Sequence, residues 1–206
     1  MDILINIDLW FISTIILFIF IIMTIVIIMA AFFEKIQLKK PQKWFDESEH
    51  FEEQKKRLQD HQERIMGTLM FWKNKAALHN RLHMSRIYWS LISSIIIPVL
   101  LQFFDKNNAW ANTFMTVLST WTAILIGLTQ TLKSEEKYRG YRQCESDYYD
   151  LSRELMDNPA KDEEKLKKQV DEFLDVVSQI RKIGRAIETD STISVRTSNK
   201  YFSDKV

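Results

Sequence analysis

Three long apolar runs alternate along the chain with densely charged stretches. The first, Leu9 to Phe33, is interrupted only by Ser13, Thr14 and Thr24, and the second, Ile87 to Phe104, carries Ser90, Ser93, Ser94 and Gln102. The third, residues 114–132, reads FMTVLSTWTAILIGLTQTL. About 20 helical residues span roughly 30 Å of hydrocarbon, so each run predicts a transmembrane helix. The third is hydrophobic on one side only. Wound at about 100° per residue, it sets Thr116, Ser119, Thr120, Ala123, Gly127, Gln130 and Thr131 on one arc, which Asn112 and Ser134 extend. Phe114, Leu118, Trp121, Leu125, Leu128 and Leu132 fall opposite. Hydroxyls and amides at membrane depth need protein or water, so this stripe predicts a partner helix or an aqueous path.

The charged stretches carry helical patterns of their own. From about Trp44 to Arg86, Phe51, Leu58, Ile65 and Trp72 recur every seven residues, with Leu69 and Ala76 beside them. Pro41 predicts a break before this helix, and the sequence leaves open whether Gly67-Thr68 bends it. In the second span Pro98 predicts a slight kink, with Ser94 one turn earlier to satisfy the freed carbonyl, and Ser90, Ser94, Pro98 and Leu101 form its most polar or irregular face. The third span reads as continuing in one helix to about Met156, where Tyr141, Cys144, Tyr148, Leu151 and Leu155 are spaced 3, 4, 3, 4. By the same angular count that stripe lies near the polar face of the span. Asp157-Asn158-Pro159 is a breaker. A further helix from about Asp162 to Glu188 carries Leu166, Val170, Phe173, Val177, Ile180, Gly184 and Ile187 at alternating spacings of 4 and 3. Two such seams joined by a short turn predict an antiparallel helical hairpin.

With only four glycines and three prolines, the fold class is an all-α membrane protein: three transmembrane helices with a cytoplasmic helical bundle. The divisions are an anchor (1–34), a cytoplasmic amphipathic helix (35–86), a transmembrane pair (87–132), a cytoplasmic hairpin (133–188) and a flexible tail (189–206), with a short strand possible at Ile193 to Arg196. The net charge of +1 and 27% charged residues resemble a soluble protein, but the charge avoids the apolar runs. The first run is too long for a secretory signal, and its leading side is acidic, with Asp2 and Asp8. Lys35, Lys39, Lys40 and Lys43 follow the first span, Lys73, Lys75, Arg81 and Arg86 precede the second, and Lys133, Lys137, Arg139 and Arg142 follow the third. The loop DKNNAWAN offers only Lys106. The positive-inside rule puts the N-terminus outside and the C-terminus in the cytoplasm. Cys144, the only cysteine, excludes an intramolecular disulfide and an all-cysteine metal site within one chain.

Candidate chemistry is sparse. His79 and His83 have the spacing of metal ligands but lack a third, and read instead as polar residues on a basic face. Tyr138 to Arg142, YRGYR, offers two guanidiniums among aromatics for phosphate, yet Tyr and Arg beside a span usually anchor it at the headgroups, so direct nucleotide binding is not the preferred reading. Asp8 reads as a helix-entry residue at the outer interface rather than a cation site. There is no phosphate-cradling glycine loop, nucleophile elbow or catalytic carboxylate pair, so neither an enzyme nor a cofactor is expected, and DNA or RNA is not an expected partner.

The segment WKNKAALHNRLHMSRIYW, the span pair around DKNNAWAN and the continuation LKSEEKYRGYRQCESDYYDLSREL together resemble a SLATT domain, over roughly residues 65 to 188. The resemblance implies a two-transmembrane effector module of bacterial nucleotide-signalled antiviral defence, forming a pore or disrupting the membrane when a sensor or nucleotide-generating partner from a neighbouring gene responds. The chain departs from that pattern in its extra first span. The expectation is thus an oligomeric inner-membrane effector whose pore-lining or helix-packing residues are Asn112, Thr116, Ser119, Thr120, Ala123, Gly127 and Gln130. Its cytoplasmic oligomer or hairpin seam runs through Tyr141, Cys144, Tyr148, Leu151, Leu155, Leu166, Val170, Phe173, Val177 and Ile180. The alternatives are a non-conducting anchor or scaffold that recruits a cytoplasmic partner, and a membrane sensor.

Overall fold

A computed structural model describes residues 9–33, 52–104 and 107–189, and these are all-helical. Five helices follow one another: α1 (Leu9–Phe33), α2 (Glu52–Leu101), α3 (Ala109–Thr131), α4 (Ser134–Asp157) and α5 (Glu163–Glu188). Three of them, α1, α2 and α3, contain stretches long and apolar enough to cross a membrane. Residues 34–51, with Pro41 and Trp44, the acidic Asp2 and Asp8, and the tail from 190 with its expected strand lie outside the described residues.

The chain divides into two compact units. The first holds α1, α2 from Leu78, α3 and the opening of α4 to Glu135. Its core joins Leu17 and Ile21 to Phe114 and Leu118, with Trp10, Trp89, Ile97 and Trp121 packed around them. Trp10 meets Phe114 edge-on at 5.9 Å, and Trp89 meets Trp121 at 6.2 Å. Asn108 starts α3, its Oδ1 accepting from the backbone N–H of Trp110 (2.8 Å) and Ala111 (3.2 Å), which satisfies two of the donors that a helix start leaves open.

The second unit is a three-helix bundle of α2 up to Ala77, α4 from Glu136, and α5. Its core takes Leu58, Ile65, Leu69, Trp72 and Ala76 from α2, Tyr141, Cys144, Tyr148 and Leu155 from α4, and Val170, Phe173, Val177 and Ile180 from α5. The expected hairpin is closed by Gln169, whose amide donates to the Asn158 carbonyl at 2.9 Å and accepts from Ala160 N–H at 3.0 Å. Glu163 and Glu164 in the first turn of α5 and Arg185 in the last complement the helix dipole.

Three local expectations are corrected. The charged helix and the second span are one unbroken helix, and Gly67-Thr68 lies within it: helical hydrogen bonding is indifferent to the change from charged to apolar side chains. The third span does not run on to Met156. It ends at Thr131, and Lys133 takes a left-handed backbone (φ 46°), its N–H donating to Gln130 O at 3.0 Å. The angular count that aligned the α3 stripe with the Tyr141 seam holds only along an unbroken helix, so it fails here. Finally, the Ser94 hydroxyl donates to Leu91 O at 2.8 Å rather than to the carbonyl that Pro98 frees; Ser93 of this span is buried, and Ser94, Pro98 and Leu101 are exposed.

Candidate functional site: the outer face of the third span

Within the first unit α3 packs by its apolar arc. Phe114, Leu118 and Leu125 are buried, joined by Ala111 and Thr129. On the opposite arc Asn112, Thr116, Ser119, Thr120, Ala123, Gly127, Gln130 and Thr131 are all exposed, whereas Ser134, which extends that arc into α4, is buried. A Cβ added at Gly127 would meet nothing within 4 Å. Some hydroxyls of the stripe bond back to their own helix, Ser119 to Met115 O (2.8 Å) and Thr131 to Gly127 O (2.9 Å). Such back-bonding lowers the cost of a hydroxyl in hydrocarbon. The Gln130 amide, exposed at the end of α3, gains nothing of this kind among the described residues.

The seam residues are placed differently. Tyr141, Cys144, Tyr148, Leu155, Leu166, Val170, Phe173, Val177 and Ile180 are buried inside the bundle, and Leu151 is half-buried against it. They form the seam between α4 and α5, and α2 covers it, so it is occupied within one chain. The Cys144 thiol, 3.9 Å from Ile180 O, is pushed up to about 12 by burial and then by the Asp147 charge, which leaves it inert. Burial likewise moves the Tyr148 phenol up to about 12.

The remaining candidates are drawn into structural pairings. Arg142 donates to Glu145 at 2.8 Å; that hydrogen bond, against some desolvation, raises its already high affinity for the proton. Lys73 reaches the other Glu145 oxygen at 3.3 Å, and Tyr138 packs on the bundle core. His79 is buried, whereas His83 stands 3.9 Å from Glu135 and 3.3 Å from Arg86, which itself lies 3.7 Å from Glu135. Among the described residues no group of three or more His, Cys, Asp or Glu side chains is placed to hold a metal.

Comparison with protein-family models, curated proteins and solved structures returned no match to this chain. The reading of the site therefore rests on its residues.

Two polar contacts in the first unit escaped the sequence reading. Ser93 and Thr122 share a hydrogen bond at 2.7 Å between α2 and α3, and Trp89 Nε1 donates to Thr24 Oγ1 at 3.1 Å between α2 and α1. Both are exchanges across helices that lipid cannot supply. Their signal was faint, because single hydroxyls scattered through apolar runs do not announce which one has a partner.

Proposed function

We propose that this chain is a self-associating, multi-pass membrane effector that opens or gates a path across a bacterial inner membrane, with α3 of each copy facing its neighbours. The observation that carries the reading is the exposure of the polar positions of α3 from Asn112 to Thr131, while Phe114, Leu118 and Leu125 of its apolar arc pack within the chain. A lone chain in lipid would present hydroxyls, a glycine and an amide to hydrocarbon, whereas copies arranged around α3 cover them or line an aqueous path with them. Ala123 and Gly127, four apart, allow close backbone approach. The cationic flanks orient the three spans with the N-terminus outside and the three-helix bundle in the cytoplasm. The resemblance to SLATT-type effectors of antiviral defence agrees with this arrangement and suggests a trigger delivered to the bundle by a cytoplasmic partner from a neighbouring gene.

The test is ion flux or dye release from liposomes with Thr120→Leu and Gly127→Leu. Both positions are exposed and neither touches the core, so the fold is retained. Reduced flux in both supports a lining role, and flux equal to the parent in both refutes it. A non-conducting anchor or scaffold is the second reading. It is favoured by the Ser119 and Thr131 hydroxyls, which already bond their own helix and so tolerate a dry helix–helix contact. An oligomer that conducts nothing, with its bundle capturing a soluble partner, is its signature.

A further inference from the structure

The second unit carries a cleft of about 340 Å³ between α2 and α5, lined by Gly67, Thr68, Phe71, Trp72, Arg181, Gly184, Arg185 and Glu188. Its size is at the lower end of small-molecule sites, which run from about 300 to 1,000 Å³. Two guanidiniums, Arg181 and Arg185, stand one turn apart on α5, both exposed and neither ion-paired among the described residues. Opposite them the Thr68 hydroxyl likewise has no partner among those residues. The apolar part is the half-buried Phe71 ring and the edge of Trp72.

One further observation points to a ligand. Trp72 is only 2% exposed, and its indole N–H, which has no acceptor among the described residues, is the polar atom that this ring presents at the cleft wall. That N–H lies against Gly184, so close that a Cβ there would stand 2.6 Å from Nε1, and both residues line the cleft. An indole N–H set in an apolar surround is a donor for which a ligand acceptor can exchange with water. Gly67 keeps the opposite wall low: a Cβ there would meet nothing within 4 Å, and the residue opens on the cleft.

We propose that this cleft binds a phosphate monoester carried on a flat heteroaromatic ring, a ligand of nucleoside monophosphate size. The paired guanidiniums match a phosphate dianion in charge and in hydrogen-bond geometry. The ring lies against Phe71, the Trp72 N–H and Thr68 hydroxyl meet acceptors on the ligand, and Glu188 at the rim takes a hydroxyl or amine donor. The site is distinct from Tyr138–Arg142, where Arg142 is held by Glu145. It stands whether or not the chain conducts, since binding is read without any flux measurement.

The experiment is isothermal titration of the full chain in lipid nanodiscs with AMP, adenosine and inorganic phosphate. AMP is expected to bind at least about tenfold more tightly than either fragment, with Arg181→Ala and Arg185→Ala each weakening it about tenfold, the scale of one charge-assisted contact. Gly67→Leu is expected to abolish binding, and Arg142→Ala to leave it unchanged, all four variants keeping the parent's circular dichroism. Absence of AMP binding at millimolar concentration overturns the proposal. So does phosphate binding as tightly as AMP, or loss of binding in Arg142→Ala with retention in both α5 variants.

Discussion

One chemical change, glycine to alanine, is expected to have three different outcomes in the second unit. Gly67, Gly140 and Gly184 lie inside α2, α4 and α5, and none has a positive φ. Each exchange gains about 0.8–1.0 kcal/mol of helix propensity. The methyl group decides the rest. At Gly184 it would stand 2.6, 3.0 and 3.1 Å from Nε1, Cε2 and Cζ2 of Trp72, a rigid ring 2% exposed in the core. Overpacking of that kind costs up to about 3 kcal/mol, so Gly184→Ala should lose about 2 kcal/mol net. At Gly140 the nearest atom, 2.7 Å away, is Cδ1 of the half-buried Ile187, the far end of a flexible chain that can turn aside. There the cost and the propensity gain nearly cancel. At Gly67 the methyl meets nothing, and about 1 kcal/mol is gained. Cys144 supplies the assay, because it is the only cysteine and is buried in this core, so its thiol labels only when the bundle opens. With tenfold per 1.4 kcal/mol, labelling should be about 30-fold faster in Gly184→Ala, within about threefold of the parent in Gly140→Ala, and about fivefold slower in Gly67→Ala. Labelling of Gly184→Ala as slow as that of Gly67→Ala would refute the packing argument.

Burial, with Arg64 and then Arg181, holds the His61 imidazole at about 4 against an ordinary 6.5. The unfolded chain therefore binds this proton first: the contribution of His61 is complete above pH 6.5 and is lost as pH falls toward 4. Urea midpoints followed by tryptophan fluorescence should fall over that window, and His61→Phe, which keeps the edge contact to Phe173, should flatten the fall; an unchanged slope counts against it. Lys133 holds a left-handed backbone that costs a side-chain-bearing residue about 1–2 kcal/mol, so Lys133→Gly should raise the thermal midpoint and Lys133→Val lower it. Equal midpoints would mean the break is not seated there. Ser93→Ala and Thr122→Val should each destabilise the first unit by about 0.6 kcal/mol, and the double variant by less than the sum, in a steric-trapping cycle. Full additivity would show that the hydrogen bond contributes nothing.

Much of the fold was legible because helix seams are written in spacing. Leu166, Val170, Phe173, Val177 and Ile180 recur every three or four residues, and that period alone places them on one buried face. What stayed hidden depended on events that spacing does not encode. The join at Arg86–Ile87 looks like a boundary because composition changes there, but α2 runs through it. The break at Leu132–Lys133 has neither glycine nor proline to mark it, and Lys133 carries it in a conformation its type disfavours. The cleft brings residues 67–72 beside 181–188, a juxtaposition that exists only once α2 and α5 have packed together.

The α3 stripe shows where pattern and packing must be read together. In a water-soluble helix, a polar arc left exposed opposite a buried apolar arc calls for no further comment, since solvent satisfies it. In a segment apolar enough to cross a membrane the same arrangement is unfinished, because hydrocarbon can satisfy neither Thr116 and Thr120 nor the Gln130 amide. The back-bonds of Ser119 and Thr131 relieve part of that demand and leave the amide. Gln130→Leu therefore separates the two readings of the stripe. If copies of α3 meet through a dry contact, removing the amide should leave their association in nanodiscs intact or tighten it, with no flux to lose. If they enclose water, Gln130→Leu places a hydrophobic ring at the inner end of the path, and flux should fall while the oligomer persists. Loss of the oligomer itself would refute both, because neither assigns the amide an indispensable part in holding the copies together.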